Sequence, residues 1–409
     1  MRATRRSPWL PLPMVAVLAV LAGWLVPTSA LAGPLHAELV TVGPGSDDLE
    51  LYGHSALCLT ADGAGDGRCY DFGVASGDHD VDGLVWDTVR GRPRFTPIAV
   101  DRSLLVATFE GMERSLWVQD LPLDERQVTE LQASLEEAVA AHQPYAYHPY
   151  YDNCTTRLRD ALDRVTSGKL REGGEAPSTG PKLRALSEQG FSGRLFELAG
   201  LALFLGSPAD RQPTAWEAMF LPAGLRDAVA KRLGAPPEQI YERREAVVPT
   251  SAQAGRFGLV LLGALLAGAI AYGGRKGARG LRATVGLAGV MLGLLGLAVD
   301  AVWAVSLLPE FGRNWVALVL VPTDALLAFT PPPVWSRYLG VRLGLLALLA
   351  ALSATGIVAQ PLVAVCLFAA LPLSVAYVFV RRGRAVVTAK AVTPTARETR
   401  ATSASGDAR

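Results

Sequence analysis

The hydrophobic positions of this 409-residue chain are unevenly spread, and their pattern divides it into distinct parts. Residues 1–32 combine a basic start, an apolar stretch and the end Ala-Leu-Ala, which is typical of a cleavable secretory signal peptide. A long stretch of mixed polarity follows. Apolar runs then begin at Phe257 and continue to residue 380. We therefore predict a secreted domain, residues 33–250, followed by a membrane domain, residues 257–380.

About five of these apolar runs are long enough, or nearly so, to cross a bilayer as helices. They lie near 257–273, 283–308, 315–330, 340–359 and 361–380. The loop after the first run and the tail after the last are rich in arginine, so the positive-inside rule places both in the cytoplasm. This topology predicts a multi-pass membrane protein. Its N-terminal domain lies outside the cytoplasm, and residues 381–409 form a disordered cytoplasmic tail.

The third apolar run contains Pro322 and Asp324. An ionisable group at membrane depth is a functional candidate. Proline can break this run into a short kinked or re-entrant segment. Asp324 would then either cap the second half of the segment or contact a substrate, and the sequence leaves both roles open.

The N-terminal domain has the alternation of an α+β protein. Residues 35–43, 52–60 and 68–74 predict strands, of which the last two form a hairpin across a turn-rich segment. Residues 94–120 predict further strands with a polar break. Apolar positions at helical spacing predict helices at 124–142, from Thr155 onward, and over most of 181–233.

Two of the four cysteines flank the predicted hairpin turn. In an oxidising compartment, Cys58 and Cys69 are expected to form a cross-strand disulfide. In the register that pairs them, His54 and Asp71 become diagonal neighbours on one face of the sheet. Asp71 could therefore orient the His54 imidazole.

Cys366 falls within the last predicted span, which leaves Cys154 without an obvious partner. Asp152 or Asn153 is a natural helix N-cap, and either would place Cys154 in the first helical turn. Unpaired amides and the helix dipole favour a thiolate there. Cys154 is thus either a small buried residue or a nucleophile, with His54 as the best placed base.

Three motifs occur in an order that resembles the bacterial Lnb N-terminal periplasmic domain family. They are YGHSAL (52–57), YDFG (70–73) and YYDNCTTRLRD (150–160). The later LFLGSPADRQPTAWEAMFLP (203–222) is similar to the downstream region of that family. The family's histidine-before-cysteine order is similar to that of permuted NlpC/P60 proteins. The resemblance implies a permuted papain-like domain with a helical extension in the periplasm, here followed by an all-α transmembrane bundle in the bacterial inner membrane.

The resemblance also implies roles for single residues. Cys154 would be the nucleophile, His54 the base and Asp71 a candidate third member of the site. The candidate substrate-binding residues are Tyr151, Asn153, Arg157, Asp210 and Arg211. Other uses stay open, because Arg157 can pair with Asp160 across one helical turn and the residues at 210–211 can cap helices.

The implied activity is a thiol hydrolase or acyltransferase that acts on amide or ester bonds of the cell envelope, in peptidoglycan, lipid or lipoprotein. An alternative is a non-catalytic, membrane-anchored accessory or binding protein. A transporter-like membrane domain would rest only on Asp300 and Asp324.

The formal net charge of +1 gives no basis for nucleic-acid binding. Phosphate-binding glycine loops and zinc-protease helices are missing from the sequence, so we predict no metal and no cofactor.

Overall fold

The computed structural model describes residues 34–46, 50–61, 67–77, 81–244, 251 and 253–392. The predicted signal peptide and the predicted tail beyond residue 392 lie outside these ranges. The described part is α+β, with an antiparallel sheet domain followed by a helical region that contains four long apolar helices.

The sheet of the N-terminal domain has the strand order β6-β4-β3-β2-β1-β5-β7, and all neighbours pair antiparallel. Its strands are β1 (Leu35–Val42), β2 (His54–Ala61), β3 (Arg68–Ala75), β4 (Arg94–Asp101), β5 (Leu116–Asp120), β6 (Tyr145–Ala146) and β7 (Glu238–Tyr241). Its helices are α1 (Val81–Arg90), α2 (Arg102–Gly111), α3 (Glu125–Ala140), α4 (Cys154–Val165), α5 (Leu183–Gly190), α6 (Leu195–Phe204) and α7 (Pro222–Leu233).

Most of the predicted elements of this domain are confirmed. The first three strands and the helices predicted at 124–142 and after residue 154 lie where the sequence places them. The strands expected over 94–120 are found at both ends of that range as β4 and β5, but the part between them is more than a polar break, because residues 102–111 form α2. Leu105 of α2 is buried against the sheet, and a short apolar run alone does not distinguish a strand from such a helix.

The two faces of the sheet bury different partners. Leu57 and Leu59 share a core with α3, α4 and α7, whereas Ala56 and Cys58 pack on the opposite face with α2. This alternation is the two-residue period of a strand. On the α2 face, Cys58 and Cys69 are direct partners in the β2–β3 register and form a disulfide with a Cα–Cα distance of 3.9 Å.

The helical region differs from the predicted five helices. Among the residues that the structure describes, four helices are long and apolar enough to cross a membrane: α8 (Gln253–Arg275), α9 (Ala278–Val305), α11 (Pro332–Ala354) and α12 (Val363–Val392). Because α12 continues to residue 392, the tail predicted from 381 begins within a helix. The third apolar run forms only the short α10 (Val316–Val319) and a 3-10 helix, Pro322–Ala328.

The broken segment formed by the third apolar run nevertheless lies along the long helix α9. It packs on a glycine face of α9, where Gly296 is in contact with Leu320 and Gly286 with Ala328. As the chain advances from 320 to 328, its contacts on α9 move back from 296 to 286. The segment therefore runs antiparallel to α9. Since glycine carries no side chain, the backbones approach closely there.

Asp324 within this broken segment is fully buried and forms an ion pair with Arg342 of α11. Both carboxylate oxygens accept hydrogen bonds from the guanidinium, at 2.9 and 2.8 Å. Tyr338 also donates to Asp324, at 2.6 Å. The side chain does not cap the 3-10 helix, so the capping role is wrong. Its partner Arg342 further donates to the carbonyl of Val319, a backbone group freed by the break.

The first and the last helix of the bundle, α8 and α12, run parallel to each other. Gly263 of α8 is in contact with Phe368 of α12, and Gly274 further along is in contact with Phe379. The basic loop after α8 and the basic residues near 381 therefore lie at one end of the bundle.

The sheet domain lies at the opposite end. Asn314 donates to the carbonyls of Leu203 and Phe204 in α6. Gln360, in the loop before α12, donates to the carbonyl of Leu205. The loops of the bundle thus hold the end of α6 through its free carbonyl groups.

Candidate active site

The site begins at the N-terminus of α4. Asn153 is the N-cap, and its side chain accepts from the amide of Thr156 at 2.8 Å while the Thr156 hydroxyl accepts from the Asn153 amide at 2.8 Å. This reciprocal capping box starts the helix at Cys154. Leu158 and Leu162 anchor the helix in the core, which fixes the thiol near the start of the central strand β2.

His54 and Asp71 lie together on adjacent strands. Nε2 of His54 is 3.0 Å from Oδ2 of Asp71, an ion-pair distance, although the two groups are not aligned as a regular hydrogen bond. The other carboxylate oxygen of Asp71 accepts from the amide of Gly73 at 2.6 Å. Only 12% of the His54 side chain and 13% of the Asp71 side chain are exposed. The carboxylate is therefore fixed on both of its oxygens, and it faces the imidazole.

The histidine and the cysteine interact. Ser55 and Thr155, which follow them in sequence, approach with their hydroxyl oxygens 3.4 Å apart. Burial raises the pKa of the Cys154 thiol, but its interactions with His54 outweigh that effect and leave the pKa below its ordinary value. Burial lowers the pKa of His54, but the charges of Asp71 and Cys154 more than compensate, so the pKa is well above its ordinary value. A thiolate beside an imidazolium is the state that these pKa changes favour.

Two further residues support this pair, and the sequence analysis did not identify them. A Cβ atom at Gly73 would lie only 2.5 Å from Cε1 of His54, so glycine is required where the ring packs. Arg114 is 2% exposed, donates to the carbonyl of Gly43, and lies 4.9 Å from the ring centre of Phe109. That phenyl ring is itself 5.7 Å from the His54 ring. The YDFG motif contains Gly73 but assigns it no role, and no local motif marks Arg114, because both residues act through neighbours distant in sequence.

The loop before Cys154 contacts the membrane region. The hydroxyl of Tyr151 donates to Glu310 at 2.9 Å and accepts from Arg211 at 2.9 Å. Glu310 lies in the loop after α9 and is 1% exposed. His148 Nε2 is 3.8 Å from the same carboxylate. The carboxyl group of Glu310 thus reaches the segment that positions the nucleophile candidate.

Residues 32–188 match the family model of the Lnb N-terminal periplasmic domain. This part of the chain is an Lnb N-terminal periplasmic domain. Comparison with curated proteins gave no match, and comparison with solved structures gave none either.

The matched range of the Lnb domain contains His54, Asp71 and Cys154, so the three residues that the structure brings together all lie inside it. Asp210 and Arg211 lie beyond it. The membrane helices also lie beyond it, and together with the family match they describe a membrane-anchored envelope protein with several spans.

Several predicted substrate-binding residues of the Lnb domain are engaged in structural contacts. Asn153 is 4% exposed, and besides capping α4 it donates to the carbonyls of residues 149 and 220. Arg157 forms a two-pronged ion pair with Asp152, at 2.7 and 2.9 Å, instead of pairing with Asp160. Its guanidinium also lies 3.7 Å from the ring centre of Tyr145. Asn153 and Arg157 therefore hold the loop that leads into α4 in place.

The downstream candidates differ from one another. Asp210 is buried and accepts two hydrogen bonds from Arg184, so it anchors α5. Arg211 pairs with Glu217 and keeps 38% of its side chain exposed beside Tyr151. Of the five candidates, Tyr151, Arg157 and Arg211 keep part of their side chains accessible near the start of α4, and Tyr151 and Arg211 are in direct contact.

A metal site is not evident in the part of the chain that the structure describes, since no group of three or more histidine, cysteine or acidic side chains is arranged to bind an ion. The chemistry that this arrangement permits is nucleophilic, with a thiol, a proton carrier and a carboxylate that orients it.

Proposed function

We propose that this protein is a membrane-anchored cysteine-dependent hydrolase or acyltransferase that acts on amide or ester bonds of the cell envelope. The observation that carries the proposal is the geometry that places Cys154 at the start of α4, where its neighbour Thr155 reaches the neighbour of His54, while His54 faces Asp71 at 3.0 Å. A papain-like thiol site has the same division of roles, with the cysteine at a helix N-terminus and the histidine on a strand.

In the proposed reaction, the Cys154 thiolate attacks the carbonyl carbon of the substrate. A C–S bond forms, and the C–O or C–N bond of the substrate breaks. The His54 imidazolium gives its proton to the leaving oxygen or nitrogen. Water or an amine then transfers a proton to His54 and attacks the thioester, which restores the thiolate and the imidazolium. First-turn amides of α4, which lack partners within the helix, would hold the oxyanion.

The position of the site favours a substrate at the membrane. Tyr151 lies just before the nucleophile candidate and bonds to Glu310, in the loop that follows the membrane helix α9. The thiol therefore lies at the membrane-facing end of the domain. Acyl groups of lipids and lipoproteins are presented at this level, which supports them as substrates over peptidoglycan. The positive-inside rule supports a periplasmic location for this end, since the basic end of the bundle lies opposite.

The test is to incubate the purified full-length protein in nanodiscs with a para-nitrophenyl acyl ester and with an isotope-labelled phospholipid. We expect a burst of nitrophenol and an acyl mass on the peptide that contains Cys154. Cys154→Ser should abolish both signals, and His54→Ala should lower the burst rate at least tenfold. Cys366→Ala, which removes the buried free thiol of α12, serves as the matched control.

The accessory function makes the opposite prediction. If Cys154 stays unmodified by the ester and the lipid, and the Cys154→Ser protein keeps full biological activity, the protein is a non-catalytic binding protein and the proposed enzymatic activity is wrong.

A further inference from the structure

Helix α6 carries an exposed apolar tip at its N-terminal end. Phe196 is 87% exposed and Leu195 is 53% exposed, which are high values for such side chains in a domain with a well-formed core. We refer to Leu195 and Phe196 as the α6 tip. An exposed apolar cluster of this kind marks an interaction surface when its surroundings identify what covers it.

The surroundings of the α6 tip are the first turns of the membrane helix α8. A Cβ atom at Gly255 would lie 2.4 Å from the backbone of Leu198, so the two helices touch there. One turn further along α8, a Cβ atom at Gly258 would lie 3.2 Å from the side chain of Leu195. The contact thus moves toward the N-terminus of α6 as α8 proceeds into its apolar run. The two helices are antiparallel, and the α6 tip points in the direction of the membrane.

The depth of the tip follows from these contacts. Arg256 forms an ion pair with Glu188 and marks the polar boundary of α8, and Phe257, which is 69% exposed, is the first residue of its apolar face. Gly258 is one residue further. A helix rises about 1.5 Å per residue, so Leu195 lies at or just below the level at which the apolar surface of the span begins.

A second element of the domain meets the bundle on another side. The carbonyl of Arg90, at the end of α1, accepts from the amide of Leu307, which directly follows α9. One turn back on α1, Trp86 is 51% exposed, and the Arg90 guanidinium lies 5.9 Å from its ring centre. Trp303 near the end of α9 is also exposed. Tryptophan and arginine at span ends are typical of the interface between lipid headgroups and hydrocarbon.

We propose that the α6 tip is inserted into the hydrocarbon of the leaflet nearest the sheet domain, and that Trp86 of α1 lies at the headgroup level of the same leaflet. The occupant of these surfaces is the lipid bilayer, because the exposed apolar area of α6 is continuous with that of α8. The domain would therefore be held against the membrane at two sides in addition to its covalent link. This inference does not depend on the chemistry of Cys154.

The test is the depth of a nitroxide label in the full-length protein in nanodiscs. Labels are placed by Phe196→Cys and Trp86→Cys in a background that carries Cys154→Ser and Cys366→Ala and keeps the disulfide. Leu261→Cys, on the exposed apolar face of α8, serves as the lipid control. Thr129→Cys, on the exposed face of α3, serves as the water control. Circular dichroism and retention of the disulfide show that each variant is folded.

We expect the label at position 196 to relax at least fivefold faster with oxygen than with a water-soluble nickel chelate, as at position 261. The label at 86 should give an intermediate ratio. A ratio at position 196 equal to that at position 129 would overturn the proposal. Dipolar broadening between labels at 196 would instead show that a second copy of the chain covers the tip, which also overturns it.

Discussion

The substitution Gly73→Ala tests whether the position of the His54 ring activates the thiol. The added Cβ would lie 2.5 Å from Cε1 of His54 and 3.0 Å from Nδ1. Ordinary contact begins at 3.4 Å, so the ring must move by about 0.9 Å, which is 3.4 minus 2.5. The carboxylate of Asp71, 3.3 Å from the same Cβ, prevents a simple shift toward it. A displacement of about 1 Å in a catalytic group costs roughly a hundredfold in rate, or about 2.7 kcal/mol.

The assay is the second-order rate of alkylation of Cys154 by iodoacetamide at pH 7 in a Cys366→Ala background. We expect Gly73→Ala to react roughly a hundredfold more slowly than the parent. Gly111→Ala is the matched control, because a Cβ atom at Gly111 meets nothing within 4 Å, and its rate should be unchanged. A folded Gly73→Ala protein that reacts at the parental rate would refute the view that His54 activates the thiol.

Three other predictions follow from the geometry. Alkylation of Cys154 should have an inflection below the ordinary thiol pKa, and His54→Ala should move that inflection upward, since the effect of burial then dominates the thiol pKa. Each unit by which the thiol pKa rises lowers the thiolate fraction, and with it the alkylation rate below the inflection, about tenfold, and an unmoved inflection contradicts the pairing. Glu310→Ala should increase hydrogen exchange across the loop before α4 by removing the acceptor of Tyr151, worth about 1 kcal/mol, whereas Glu310→Gln should not; equal exchange in both variants excludes this contact as the cause. Arg342→Met should lower the free energy of unfolding by about 3–5 kcal/mol in denaturation assays, because it strands a buried carboxylate, and an unchanged midpoint would exclude a structural ion pair.

The sequence alone determined the features that depend on local pattern. The change from mixed polarity to long apolar runs separates the sheet domain from the membrane helices, because the hydrophobic requirement of a span is local. The cap at Asn153 sets the start of α4, since its partner is only three residues away. The hairpin turn and the cysteine pair define one register for β2 and β3. His54 and Asp71 then share a face as a consequence of strand alternation.

Tertiary structure decided the features that depend on distant neighbours. Residues 102–111 become a helix because Leu105 packs on a face of the sheet that other strands build. The third apolar run stays broken because a glycine face on α9 and the guanidinium of Arg342, 18 residues from Asp324, satisfy its backbone and charge. Glu310 reaches Tyr151 across 159 residues of chain. Periodicity reports which side of an element is buried, but only packing decides which partner buries it.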